Sequence, residues 1–108
     1  MDWMFSMQSA LDYIEAHITE KINCEHLAKA AYSSSYHFQR VFALTCGISL
    51  GEYIRRRKLT LAGNDLIGKR MKVTEVAFKY GYDTLESFSR AFVRFHGILP
   101  SRVKSMCQ

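Results

Sequence analysis

Apolar residues recur along this chain of 108 residues at intervals of three and four, the spacing that places them on one face of an α-helix. Long alternating runs of β-branched residues are absent and proline occurs once, so the pattern predicts an all-α fold with seven helices. The predicted helices cover about residues 6–18, 24–31, 35–46, 50–67, 73–80, 85–96 and 100–104. At ~1.5 Å per residue the fourth helix spans roughly 27 Å, which is unusually long for so small a domain.

Residue types that suit helix ends lie at these boundaries. The predicted N-caps are Asn23, a serine within 33–35, Ser49 with Glu52 in a capping box, and either Asp83 or Thr84. The predicted stops are Gly47, Gly68, Gly81 and Gly97. The residues expected to face the core of the third and sixth helices are Phe38, Val41, Phe42, Phe88, Ala91, Phe92 and Phe95.

The chain also repeats itself. An offset of fifty residues pairs Phe38 with Phe88, Arg40 with Arg90, Phe42 with Phe92, Gly47 with Gly97 and Ile48 with Ile98. Each copy predicts a short helix, a tight turn and a longer helix. This is the pattern of a helix-turn-helix, whose second helix can enter a DNA major groove. A helical hairpin repeated only for packing is the alternative.

The outer face of each second helix carries candidate base-reading residues. In the third helix they are Ser35, Tyr36, Gln39 and Arg40, and in the sixth they are Leu85, Glu86, Ser89 and Arg90. Gln and Arg pair bidentately with adenine and guanine edges, and a Tyr ring can contact a thymine methyl group. Glu86 can accept from a cytosine amino group or close a capping box with Asp83, and Leu85 can contact a methyl group or cover the turn.

Charge is unevenly distributed along the chain. Residues 1–39 contain two basic and five acidic side chains, a net −3, whereas residues 40–108 contain thirteen and five, a net +8. This asymmetry favours a polyanionic partner for the later part of the chain, either nucleic acid or an anionic membrane surface. The candidate phosphate contacts are His37, Arg55, Arg56, Lys58 and Arg94.

Other basic residues are expected to play lesser roles. Residues 55–58 are four consecutive bases that cover the whole circumference of a helix, so one or two reach phosphates while the rest are solvated or paired with acids. Lys69, Arg70 and Lys72 are interpreted as a solvated loop that adds to the electrostatic field, and Lys104 as a weaker phosphate candidate.

Several classes of protein are excluded. The three cysteines form no CxxC pair, which argues against a disulfide framework or zinc finger and favours reduced thiols. No apolar run is long enough to span a bilayer, and the first residues lack the pattern of a secretory signal. No acid–base pair, phosphate loop or histidine pair indicates a catalytic residue, a metal ligand or a cofactor. We expect His96 to satisfy a carbonyl at the end of its own helix.

Three motifs carry a resemblance to a known family. Leu27–Ala31 through Phe38–Phe42 to Gly47 resembles the first helix-turn-helix of the AraC/XylS family of bacterial transcription regulators. The segment from Tyr53 to Ala62 is similar to that family's connecting helix. The segment from Val76 through Gly81, Phe88–Phe92 and Gly97 to Pro100 is similar to its second motif.

The resemblance implies two helix-turn-helix subdomains, at about residues 6–48 and 73–104, joined by a connecting helix at about 50–67. Both recognition helices would enter successive major-groove segments of double-stranded DNA, ~34 Å apart. The residues that match base-reading positions of the family are Tyr36, Gln39, Arg40, Leu85, Glu86, Ser89 and Arg90. Two departures stand out: Tyr32 replaces the usual turn glycine, and Leu85 and Glu86 replace polar amides found in the stress-response branch. The alternative for the second recognition helix is therefore that it mainly contacts the DNA backbone.

Transcription activation in the bacterial cytoplasm, at the nucleoid, is the expected function, with RNA polymerase as a candidate partner. A C-terminal effector domain absent from this chain is also expected, against the alternative of a minimal regulator. The competing function is a helical protein-interaction module with a basic docking surface. A DNA-alkylation-response enzyme is disfavoured because its reactive cysteine cluster is missing.

Overall fold

The computed structural model describes the backbone of residues 3–30 and 33–106 and the side chains of residues 7–29 and 33–106. The described residues form α1 Trp3–Ala16, α2 Cys24–Ala30, α3 Ser35–Cys46, α4 Leu50–Gly68, α5 Val73–Lys79, α6 Leu85–His96 and α7 Pro100–Met106. The all-α prediction is therefore confirmed, with helix bounds shifted by a few residues at most. The predicted end of α2 at Ala31 and the departure at Tyr32 lie outside the described residues.

The backbone divides into two compact units, Met1–Arg55 and Arg56–Gln108, so that α4 contributes to both. In the first unit α2 packs against α1 and α3, and in the second unit α5, α6 and α7 pack on one another. Within the described part of the chain, no helix is both long and apolar enough to cross a membrane.

The second helices of the two copies begin and end with the same local chemistry. The Ser34 hydroxyl accepts from the His37 amide at 3.2 Å, and fifty residues later the Thr84 hydroxyl accepts from the Ser87 amide at 3.1 Å. Gly47 and Gly97 end the helices at φ 79° and 76°, a left-handed conformation that glycine adopts without a β-carbon clash.

Thr84, and not Asp83, is thus the N-cap of α6. Glu86 then occupies the second helical position, one short of the position that a capping box requires. The capping box between Asp83 and Glu86 is therefore wrong. Asn23 and Ser49 are confirmed as N-caps, because Asn23 accepts from the Glu25 amide at 2.8 Å and Ser49 accepts from the Glu52 amide at 3.1 Å.

The turn of the second copy is closed by two hydrogen bonds. The Tyr82 amide donates to the Ala77 carbonyl at 3.0 Å, and the Gly81 amide donates to the Phe78 carbonyl at 3.1 Å. With Gly81 at φ 85°, these bonds form a Schellman motif. In the first copy the Ser33 amide donates to the Ala28 carbonyl at 2.8 Å, which is the equivalent of the first bond.

Each unit has its own apolar core. The fully buried side chains of the first unit include Ile14, Leu27, Phe38, Phe42 and Leu50, and those of the second include Leu59, Ala62, Val76, Phe88 and Phe92. The predicted burial of Phe95 is wrong, since 37% of this residue is exposed. The imidazole of the next residue, His96, lies 4.3 Å from the Phe92 ring and reaches α4 through its Nε2.

Candidate nucleic-acid interface

The outer face of α3 displays polar side chains held in two pairs. Tyr36, Gln39 and Arg40 are exposed, while Ser35 is half-buried. The Gln39 amide donates to the Ser35 hydroxyl at 3.1 Å, and the Arg40 guanidinium donates to the Tyr36 hydroxyl at 3.4 Å. Each pair spans one helical turn, so the four predicted base-reading residues of this helix lie on one face.

The corresponding face of α6 carries fewer hydrogen-bond donors. Glu86 and Arg90 are exposed and their side chains approach to 3.8 Å across one turn. Ser89 is half-buried, and 41% of Leu85 is exposed at the start of the helix. Because Thr84 is the cap, the Glu86 carboxylate is free of any capping role and points beside the guanidinium.

The candidate phosphate contacts occupy different environments. His37, Arg56 and Arg94 are exposed, on α3, α4 and α6 respectively. Arg55 donates to the Glu52 carboxylate from both Nε and Nη2, so part of its positive charge is already balanced.

Lys58 is placed differently from the other candidates. Its ammonium group lies close to the turn of the second copy, 3.9 Å from the position that a β-carbon on Gly81 would occupy. Burial lowers the pKa of the Lys58 ammonium. The structure therefore brings Lys58 to the same turn that leads into α6.

Asp65 anchors α4 to the first helix of the second copy, and its role was not predicted. Its Oδ2 accepts from Lys79 Nζ and from the Tyr80 hydroxyl, both at 2.7 Å, while Lys69 Nζ lies 3.3 Å from Oδ1. Burial alone raises the pKa of the Asp65 carboxyl, but these hydrogen bonds outweigh it, so the pKa lies below its ordinary value. The carboxylate is charged and fully engaged.

His96 anchors the recognition helix of the second copy to α4. Its Nε2 lies 2.8 Å from the Leu59 carbonyl oxygen, and because a carbonyl only accepts, Nε2 carries the proton. A β-carbon on Gly63 would lie 3.4 Å from two atoms of the imidazole, so the ring lies directly against this turn of α4. The expected contact with the end of its own helix is wrong, since the acceptor belongs to α4.

One signal in the sequence pointed to Asp65. It lies beside Leu66 and three residues after Ala62, on the stripe that α4 turns to the core, where an acid needs a partner. Among residues 3–30 and 33–106, no three His, Cys, Asp or Glu side chains lie close enough to hold a metal ion.

Two helix-turn-helix copies, each exposing hydrogen-bonding side chains on its second helix, define the helix-turn-helix class of DNA-binding protein. A family model described as a helix-turn-helix domain matches residues 27–106. Together with the relatives below, this match shows that the chain belongs to the AraC/XylS family of DNA-binding transcription regulators.

Two relatives are similar over most of this chain. The transcriptional activator AarP of Providencia stuartii is 36% identical over 91 residues, which are 84% of this chain and 67% of that protein. The regulatory protein SoxS of Salmonella typhimurium is 34% identical over 95 residues, 88% of this chain and 89% of that protein.

Solved structures show the same fold. A probable AraC family regulator from Rhodopseudomonas palustris aligns with a TM-score of 0.85 and 26% identity, covering 95% of this chain and 97% of that one. The DNA-binding domain of AdpA, solved in complex with a target DNA, aligns with a TM-score of 0.83 and 23% identity, covering 94% and 91%. The all-helical architecture is thus that of an AraC-type DNA-binding domain.

Proposed function

We propose that this chain binds an asymmetric site on double-stranded DNA through α3 and α6, which enter successive major-groove segments, and thereby activates transcription. The observation that carries the proposal is the repeated unit. Two helices with matched caps at Ser34 and Thr84 each expose a polar face beyond two buried phenylalanines. The DNA complex of the AdpA domain supports the same use of the fold.

The two helices are expected to read DNA with different chemistry. On α3, Gln39 and Arg40 offer bidentate donors, and 75% of Tyr36 is exposed for contact with a thymine methyl group. On α6, Arg90 offers the same chemistry with Glu86 beside it, supplemented by Ser89 and Leu85. His37, Arg55, Arg56, Lys58 and Arg94 remain the proposed phosphate contacts.

A pair of substitutions separates base reading from backbone binding. Arg40→Ala is expected to cost ~1–3 kcal/mol on a duplex enriched from a randomised pool and to relax preference at one base position. Arg56→Ala is expected to weaken binding to all sequences alike. It should also reduce the slope of log affinity against log salt by about one unit, the effect of losing one phosphate contact. Fluorescence anisotropy on the enriched duplex and on its single-base variants measures both effects.

Leu44→Ala is the matched control, because Leu44 lies on α3, is 77% exposed and stands outside the proposed reading set. Equal losses for Arg40→Ala and Leu44→Ala, or an Arg40→Ala loss that is uniform over all sequences, would contradict base reading by α3. Binding to an acidic protein that persists at high salt, together with no binding to duplex DNA, would instead identify a protein-interaction module.

The proposed activation of transcription is supported by one relative, the transcriptional activator AarP. We expect transcription by RNA polymerase from a promoter that carries the enriched sequence to rise when the protein is added in vitro. A fall in transcript on the same template would show repression, and the Arg40→Ala variant provides the control for dependence on DNA reading.

A further inference from the structure

A cavity of about 500 Å³ lies in the second unit, where the end of α4, the segment after it and α7 meet. Most of its lining side chains are exposed, so it opens to solvent. Its lining residues are Leu66, Ile67, Gly68, Lys69, Arg70, Lys72 and Lys104. We call it the basic cavity. Because α7 packs against α5 and α6, Lys104 is brought beside a segment more than thirty residues earlier in the chain.

Positive charge in the basic cavity exceeds the acidic charge that could balance it. Asp65 reaches Lys69 alone among the lining side chains, at 3.3 Å, and its other oxygen accepts from two groups outside the cavity. The Glu75 carboxylate accepts from the backbone amide of Lys72 in the first turn of α5. Across the described ranges, no carboxylate lies within ion-pair distance of the Arg70, Lys72 or Lys104 side chains.

Stabilisation of a helix C-terminus accounts for two of the basic residues in the cavity but not for Lys72 and Lys104. Lys69 and Arg70 follow the C-terminus of α4, where positive side chains stabilise the exposed carbonyl groups. Lys72 directly precedes α5, and Lys104 belongs to α7, so neither serves that end of α4. Like charges around one concave surface repel each other, and a bound anion offsets that repulsion.

We propose that the basic cavity binds a phosphate-bearing anion through Arg70, Lys72 and Lys104. Guanidinium and ammonium groups form charge-assisted hydrogen bonds with phosphate oxygens, and several converging cations suit a multiply charged group. Two sources carry this chemistry: a free polyphosphate or nucleotide, and a backbone phosphate of bound DNA. The first goes beyond the proposed function, and the second rests on it.

The first experiment titrates the whole chain with inorganic tripolyphosphate at constant ionic strength and follows backbone amide NMR signals. We expect the shifts to concentrate at residues 66–72 and 104. We expect Lys104→Gln or Lys72→Gln to weaken binding about tenfold, the loss of one charge-assisted hydrogen bond. Arg102→Gln is the matched control, because Arg102 is exposed on the same helix and does not line the basic cavity.

The second experiment measures the salt dependence of duplex DNA binding for the same variants. If a DNA phosphate occupies the basic cavity, the slope of log affinity against log salt falls by about one unit in Lys104→Gln and stays unchanged in Arg102→Gln. Thermal unfolding of each variant confirms that it is folded.

The outcomes separate the two sources and the two proposals. Selective loss of tripolyphosphate binding with an unchanged DNA slope identifies a free anion, and a selective change of slope identifies the DNA backbone. If no duplex binds while the selective loss of tripolyphosphate persists, the proposed function fails and the basic cavity stands. Equal effects of Lys104→Gln and Arg102→Gln in both experiments would show a response to overall charge only and would overturn the inference.

Discussion

At the scale of single residues, Asp65 shows how one buried carboxylate fixes two elements. Only 8% of its side chain is exposed, yet it is matched by a lysine at 2.7 Å and a tyrosine hydroxyl at the same distance. A buried charge is tolerated when partners and hydrogen bonds replace the lost water. Lys79 and Tyr80 lie at the end of α5, so the carboxylate links the end of the first helix of the second copy to α4.

The Asp65 carboxyl gives a prediction with a defined pH dependence. Its pKa is lower in the folded chain than in the unfolded chain, so its stabilisation is fully present above an unfolded pKa of about 3.9 and is lost as the pH falls through the folded pKa. We expect Asp65→Asn to lower the free energy of unfolding by about 2 kcal/mol at pH 7. Urea unfolding from pH 7 to pH 3.5 should show this difference shrinking below about pH 4.

Asp83→Asn is the control for that series, because Asp83 is exposed in the turn before α6. It should change stability by less than about 0.5 kcal/mol. A difference between wild type and Asp65→Asn that stays constant down to pH 3.5 would contradict the assigned role of the carboxylate.

The two phenylalanines in the last turns of α6 provide a second test at this scale. Phe92 is 1% exposed, whereas Phe95 is 37% exposed. Phe92→Ala is expected to cost ~3–5 kcal/mol through cavity formation, and Phe95→Ala about 1 kcal/mol. Urea unfolding of both variants measures the difference, and similar losses would mean that Phe95 belongs to the core after all.

At the scale of elements, the predictable features were those determined within a few residues. The caps at Asn23, Ser34 and Ser49 depend on short polar side chains next to an apolar repeat. The helix ends at Gly47 and Gly97 depend on the positive φ that glycine readily adopts. The competition between Asp83 and Thr84 was not resolved from the sequence, since both residue types cap helices well.

Contacts between elements were not predictable in the same way. His96 meets the Leu59 carbonyl 37 residues away, and Lys79 meets Asp65 across 14 residues. A helical pattern shows which face turns inward but carries no information on which turn of one helix meets which turn of another. The predicted burial of Phe95 is wrong for this reason, since the helical pattern does not show that the next residue, His96, is the one that reaches α4.

The link between α6 and α4 can be tested through His96. His96→Gln keeps an N–H donor near the position of Nε2, whereas His96→Leu leaves the Leu59 carbonyl without that partner. Both variants lose the ring contact with Phe92, so their difference isolates the hydrogen bond, for which we expect about 1 kcal/mol. Urea unfolding at constant pH measures this difference. Equal free energies of unfolding for the two variants would contradict a stabilising hydrogen bond from His96 to α4.

At the scale of the whole molecule, the uneven charge of the chain acquires a structural meaning. The net +8 of residues 40–108 includes Arg40 on α3, the bases of α4, Arg90 and Arg94 on α6 and the basic cavity. Of the net −3 of residues 1–39, −2 comes from Asp12 and Glu15 on α1, whereas Glu25 and Lys29 cancel on α2. Helix α1 packs on α2, which in turn packs on the first recognition helix. This distribution fits a partner with a repeating negative charge.

The family and fold were accessible from the sequence because the repeat, the caps and the paired phenylalanines are local features. The chemistry of the interface was accessible only as residue types. The pairing of Arg40 with Tyr36, of Arg90 with Glu86 and of Arg55 with Glu52 depends on side-chain geometry that the sequence allows without determining it.

Selection from randomised duplexes at fixed salt tests the claim that both recognition helices read DNA. We predict an enriched sequence with two preferred blocks whose centres lie about 10 base pairs apart. Arg40→Ala should erase preference within one block, and Arg90→Ala should weaken preference within the other. A selected pool without any preferred sequence, or a single block that neither substitution alters, would contradict the claim.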